Sequence, residues 1–293
     1  MHILRDLIRV AYVPFMLAVF LGAAVLVVSD GYGYIMLLAL LLLAIGCSFL
    51  AEQLAPYDRD WNNNHTDRGR DLAHAIVNET SSALSVAALP VIVAFLPDFG
   101  AWPTAWPLWG QLVLAIIIAD CGITLVHYAS HIYPTLWRFH AVHHSVKRMY
   151  GFNGLMKHPL HQAIETLGGT FPLILLGIPL EIAALLAFAI AIQLLLQHSN
   201  VDVKIGPLRH VLALSPLHRF HHIKWPIEGD VNFGLFTTIW DRMLGTAIFD
   251  AGRRFTSDDL GIGKQPDYPV AYLGQMVQPF KPEETNNASK PEH

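Results

Sequence analysis

Eight histidines in three boxes carry the chemistry of this chain. They are His127 and His131 in HYASH, His140, His143 and His144 in HAVHH, and His218, His221 and His222 in HRFHH. On a helix, residues i and i+4 lie on one face a turn apart, with i+3 beside them. His127 and His131 have the first spacing, and each HxxHH places three imidazoles around one face. Neutral imidazole ligates Fe, Zn, Cu and Ni. Eight imidazoles are too many for one ion of ordinary coordination number; they fit two ions with open positions. A bis-histidine haem site would pair histidines across helices and has no need of two adjacent HH doublets.

Asp120 and Thr124 stand seven and three residues before His127, on the same helical face. A carboxylate near the end of an apolar helix is costly unless it has a role. The simplest role here is to accept an N–H from a ligating imidazole. His2, His65, His210 and His293 stand alone and read as ordinary hydrogen-bonded or surface histidines. His74 faces the same side as the boxes and stays open between ligand and core residue. Cys47 and Cys121 lie inside apolar segments and read as small buried hydrophobes. Two cysteines exclude an iron–sulfur cluster held by four thiolates of this chain.

The elements that position these groups are membrane helices. Of the 293 residues, 53% are hydrophobic and 14% charged, against about 25% charged in a soluble domain. Mean hydropathy is +0.40. The apolar residues fall in blocks long enough to cross a bilayer. These are Leu7 to Val28, read as an anchor rather than a signal peptide, Tyr34 to Leu54, Leu72 to Leu96 with Asp71 as its expected cap, and Leu108 to Val126, ending at His127. A connection rich in Pro and Trp, residues 97–107, suits the interface. Ala163 to Gln197 is apolar again but broken by Gly168, Gly169, Pro172, Gly177 and Pro179. It reads as a hairpin, either spanning or re-entrant. Ser215 and Pro216 start a helix carrying the last box. The tail from Pro279 has a disordered composition.

The expected fold class is therefore all-α: a polytopic membrane helical bundle of about four spans plus a further hairpin, with a histidine-rich helical cap. Three regions follow, 1–107 as N-terminal membrane helices, 108–250 as the catalytic domain and 251–293 as a C-terminal tail. Arg5, Arg9, Arg59, Arg68, Arg70, Lys147, Arg148 and Lys157 flank alternate ends of the spans, while connections 29–34 and 97–107 hold no Lys or Arg. The positive-inside rule then places the boxes and the C-terminus on the cytoplasmic side, in a bacterial inner (cell) membrane. The net charge of −4, with no basic run, speaks against a nucleic-acid partner.

Across residues 110 to 250 the chain resembles the fatty acid hydroxylase and sterol desaturase superfamily. The resemblance rests on HYASH at 127–131, FHAVHHS at 139–145, KHPLH at 157–161, LQHSN at 196–200, SPLHRFHH at 215–222, DVNFG at 230–234 and WDRMLGT at 240–246. It implies a membrane di-iron enzyme that uses O2 and external electrons to hydroxylate or desaturate a lipid. It implies two iron ions held by His127, His131, His140, His143, His144, His218, His221 and His222, with His198 as a ninth ligand. His158 and His161 are subsidiary metal candidates, since HPLH could instead shape the site. The family's first box often has Arg directly after its first His, where this chain has Tyr128. The ending SPLHRFHH…DVNFG…WDRMLGT also resembles the alkylglycerol monooxygenase branch, which keeps ether-lipid cleavage open beside hydroxylation and desaturation.

No haem, flavin or iron–sulfur motif is visible, so electrons are expected from a separate reductase, ferredoxin or cytochrome b5-like donor. Two other classes stand against this reading. A zinc hydrolase would use three or four protein ligands, and HExxH is absent. A metal transporter would need polar groups through the membrane core, and the first four blocks hold few. The lipid itself is not legible.

Overall fold

The computed structural model describes residues 2–97 and 99–282, and among them there is no strand, only helices and three isolated bridging pairs. In chain order the first helices are α1 (His2–Ser29), α2 (Ile35–Leu54), α3 (Arg68–Val93) and α4 (Leu108–Ile132). Then follow α5 (Pro134–His144), α6 (Pro159–Leu176), α7 (Leu180–His198), α8 (Ser215–His221), α9 (Ile239–Leu244) and α10 (Tyr272–Val277). Helices α1 to α4 and α7 are each long and apolar enough to cross a membrane. The chain is an integral membrane protein by this measure. The exposed Leu42, Leu84, Phe95 and Trp109 are the side chains such a surface requires.

The broken apolar block is a helical hairpin. Gly177 closes α6 at φ +85, a left-handed cap that favours glycine, and Pro179 precedes α7. Helix α7 is the most enclosed of the long helices, with Leu185, Ile192, Gln193, Leu195 and His198 all buried. Helices α4 and α6 pack backbone to backbone. A Cβ at Gly122 would lie 2.1 Å from the Gly168 carbonyl oxygen, and one at Gly169 would meet Ile123 at 2.8 Å. Small residues permit this approach in an apolar medium, and it sets His127 and His131 beside α6.

Three expectations are corrected. Helix α4 does not end at Val126 but runs to Ile132 and carries both its histidines. Nothing breaks it before the extended Tyr133 and Pro134, so the end of an apolar run marked a polarity boundary and not a helix end. Helix α3 begins at Arg68, and Asp71 lies in its first turn rather than at its cap. Its carboxylate accepts from Arg70 Nε at 2.7 Å and from the Tyr150 hydroxyl at 2.8 Å. At the C-terminal end, Gln278–Phe280 form a 3-10 turn where disorder was expected from Pro279. Residues 283–293, including His293, lie outside the described residues.

Candidate metal centre

The nine histidines expected as ligands converge at the ends of α4, α5, α7 and α8 in two neighbouring groups. One holds His127, His131, His140, His144 and His221; the other holds His143, His198, His218 and His222. In the first, His127 Nε2 lies 2.8 Å from His221 Nε2 and 3.0 Å from His140 Nε2. His144 Nε2 lies 3.0 Å from both His140 and His221 and 3.2 Å from His131. In the second, His198 Nε2 lies 3.3, 3.2 and 3.1 Å from the Nε2 atoms of His143, His222 and His218. The HxxHH boxes therefore do not each present one face to one ion. His140 and His144 enter the first group and His143 the second; His221 enters the first, and His218 and His222 the second.

Tautomers decide what these close contacts are. A carbonyl oxygen only accepts, so a ring nitrogen facing one must carry the hydrogen. His127 Nδ1 donates to Phe233 O at 2.8 Å and His221 Nδ1 to Val231 O at 2.9 Å. His143 Nδ1 donates to Met156 O at 3.1 Å and His198 Nδ1 to Leu194 O at 3.3 Å. In these neutral rings Nε2 then bears only a lone pair. The 2.8 Å contact of His127 with His221, and that of His143 with His198, set lone pair against lone pair. Such an arrangement calls for a cation between them, so the donor set fits metal in both groups. Burial holds His140, His143, His144, His218, His221 and His222 well below the ordinary imidazole value, and their neighbouring imidazoles push the same way. They stay in the neutral, ligating form.

One short segment, DVNFG, aims three of the rings. Asp230 Oδ1 accepts from His131 Nδ1 at 2.8 Å, and the carbonyls of Val231 and Phe233 hold His221 and His127. Asn232 sits at φ +54, a left-handed conformation that Asn tolerates. Its side chain ties the segment to Leu217 O and Ile248. Two buried carboxylates clasp the segment. Asp241 accepts from the N–H groups of Phe233 and Gly234 at 2.7 and 2.8 Å. Asp120 accepts from Leu235, Phe236 and Thr237 N–H at 2.8 to 3.1 Å and from the Thr237 hydroxyl at 2.7 Å.

Asp120 thus receives no imidazole N–H, contrary to the expectation; it steadies the loop whose carbonyls do that work. Thr124 Oγ1 is buried and has no hydrogen-bond partner among the described residues. His158 Nδ1 accepts from Leu160 N–H, capping α6 away from both groups. His161 lies against His140, with ring centroids 4.5 Å apart, its Nε2 2.9 Å from Ser130 Oγ and its Nδ1 3.8 Å from Glu165. His74 bonds Lys157 O and Gln275 Oε1, tying α3 to α10. His65 pairs with Asp60, His210 bonds Arg242, and His2 is exposed. The roles of Asp230, Asp241 and Glu165 were missed; the first two lie inside the DVNFG and WDRMLGT motifs.

Two cavities lie near this centre. One of about 510 Å³ lies between α3, α4, α6 and α7 and is mostly apolar. It comes close to the centre at Glu165 and at Gly154, where a Cβ would lie 2.9 Å from His198 Nδ1. The other, about 360 Å³, is lined by His131, His144 and His221 together with Lys224, Trp225 and Lys264.

The family described as fatty acid hydroxylase matches residues 112–246. An ornithine lipid hydroxylase of Rhizobium tropici, OlsE, is 35% identical over 241 residues, covering 79% of this chain and 71% of that protein. The alkylglycerol monooxygenase of Danio rerio is 32% identical over 145 residues, half of this chain and 31% of its own length. The Homo sapiens alkylglycerol monooxygenase is 28% identical over 145 residues, again 31% of its length. No solved structure matches.

Proposed function

Because the chain belongs to the fatty acid hydroxylase family, we propose that this oxidoreductase is a di-iron, O2-dependent hydroxylase of a membrane amphiphile. The observation that carries the reading is the pair of adjacent all-imidazole groups with bare Nε2 atoms facing each other. His127, His131, His140, His144 and His221 would hold one ion, and His143, His198, His218 and His222 the other. The metals, when bound, supply the reduction of O2 and the oxidation of an unactivated C–H bond.

The side chains supply everything else. Neutral imidazoles leave the positive charge on the ions. The carbonyls of Phe233, Val231 and Met156, with Asp230, fix the ring orientations. The 510 Å³ cavity has a size and polarity suited to a lipid chain entering between helices. The second cavity brings solvent-side access to His131, His144 and His221. Its Lys224 and Lys264 favour an acidic docking partner, which suits a separate reductase, ferredoxin or cytochrome b5-like electron donor. The distribution of Lys and Arg supports a cytoplasmic position for the centre in a bacterial cell membrane. Hydroxylation is favoured over ether cleavage because the Rhizobium tropici relative aligns over most of its length, whereas the alkylglycerol monooxygenases align over about a third.

The test is metal analysis of the purified protein, O2 uptake on reduction, and lipid mass spectrometry of cells with and without the gene. Bound iron, O2 consumption and a lipid gaining one oxygen are expected. A protein without iron that consumes no O2 when reduced overturns the reading.

A further inference from the structure

The 510 Å³ cavity is lined by three charged side chains, Glu79, Lys157 and Glu165. Lys157 and Glu165 are ion-paired with each other. The Glu79 carboxylate makes no hydrogen bond or ion pair with any described residue, although it is half-buried on the cavity wall. An ionised carboxylate in such surroundings is costly unless a counter-charge meets it. With Glu79 ionised, the cavity carries one negative charge in excess.

Ser82 and Gln162 line the same cavity wall as Glu79. Gln162 Nε2 is engaged at 3.0 Å with Asn78 O and at 3.0 Å with Ser82 Oγ. That leaves the Gln162 carbonyl oxygen to accept, on a residue that lines the same cavity as Glu79. An ammonium group has three donors and no acceptor. Further along α3 the cavity wall turns apolar through Val86, Leu89 and Ile92, and past the helix end through Leu96. At about 1.5 Å per residue, the wall from Glu79 to Leu96 is long enough for an alkyl chain. The polar end, with Lys157 and Glu165, is the end nearest His161 and His198.

We propose that Glu79 is the specificity-determining residue of this cavity: it binds the ammonium headgroup of an amine-bearing lipid, with the alkyl chain running along α3 toward Leu96. The lipid's carbons close to the headgroup then lie nearest the histidine centre. This deepens the reading of the chain as a lipid hydroxylase and rests on it only for the identity of the reaction.

The experiment measures binding without turnover. The full-length, metal-loaded protein in non-ionic detergent is titrated with dodecylamine, dodecanol and dodecanoate at neutral pH. Dodecylamine is expected to bind at least tenfold more tightly than dodecanol, and Glu79→Gln to remove that preference while dodecanol binding changes less than twofold. Equal affinity for amine and alcohol in the unmodified protein, or an undiminished amine preference in Glu79→Gln, overturns the proposal. If Glu79→Gln fails to fold, Glu79→Asp decides: it keeps the charge, so loss of the amine preference with dodecanol binding intact also overturns it. Metal content and O2 uptake are scored separately. A metal-loaded, O2-consuming protein without amine preference sinks only the role of Glu79, and amine preference without O2 uptake sinks only the hydroxylase reading.

Discussion

His143 and His144 are neighbours in the chain and belong to different nitrogen groups. His144 Nε2 lies 3.0 Å from His221 Nε2, and His143 Nε2 lies 3.3 Å from His198 Nε2. Consecutive helical residues point about 100° apart, so one HH doublet feeds both nitrogen groups from a single turn. His221 and His222 divide in the same way.

It follows that His143→Ala and His144→Ala should deplete different halves of the centre. Each single variant is expected to lose about half of the bound metal, and the double variant nearly all of it, as read by elemental analysis. Loss of all metal from either single variant would show instead that neither group holds an ion alone.

Asp230 orients His131 from a partly open position. Asp230→Ala is expected to lower metal affinity roughly 10- to 100-fold, the usual effect of removing a ligand's hydrogen-bond partner. Competition with a chelator provides the measurement, with unchanged affinity as the contrary outcome.

Asp120 and Thr124 should part company on substitution. Asp120→Ala leaves three backbone N–H groups and the Thr237 hydroxyl without their acceptor, at about 1–3 kcal/mol for each buried group left unsatisfied. A clear fall in melting temperature with loss of metal is expected. Thr124→Val removes a hydroxyl that has no partner and should be neutral or slightly stabilising in the same melt.

The pH dependence centres on Asp67. Arg148 donates to it through Nε and Nη2, both at 2.8 Å, and both residues are buried. Burial alone would push the Asp67 carboxyl up, but the hydrogen bonds and charge of Arg148, helped by Arg70, hold it below the ordinary value. The unfolded chain then takes up this proton at higher pH than the folded one. The contribution to stability is complete above about pH 4 and fades as pH falls through the folded value. Asp67→Asn should cost about 3–5 kcal/mol at neutral pH by stranding Arg148, and this deficit should shrink below pH 4. A deficit that stays constant from pH 7 to pH 3 in denaturant titrations would refute the assignment.

The sequence announced the nine histidines more readily than their division of labour. Box spacing is local, so His127, His131 and the two HxxHH motifs stood out, and apolar block length gave the long helices. His198 is a single histidine at the end of an apolar helix and was recognised only through the resemblance at LQHSN. The split of His143 from His144 depends on where α7 and α8 end in space, which spacing along α5 does not encode. Asp120 was noticed because a carboxylate there is costly, yet its partners lie 115 to 117 residues away. Asp230 reaches His131 across 99 residues, and the place of Glu79 on a cavity wall depends on how α3 packs against α6 and α7, which no local pattern encodes.

The splitting of the doublets also sets the order in which the centre can be made. Residues 127–144 supply four of the five nitrogens of one group and one of the four of the other. A ribosome that has passed His144 has therefore built most of one nitrogen group and very little of its neighbour. Neither group is complete until His221 and His222 emerge, and the DVNFG segment that fixes the rings is translated just after them. Completion of both nitrogen groups is thus a late event in synthesis, placed after the last long helix has been made.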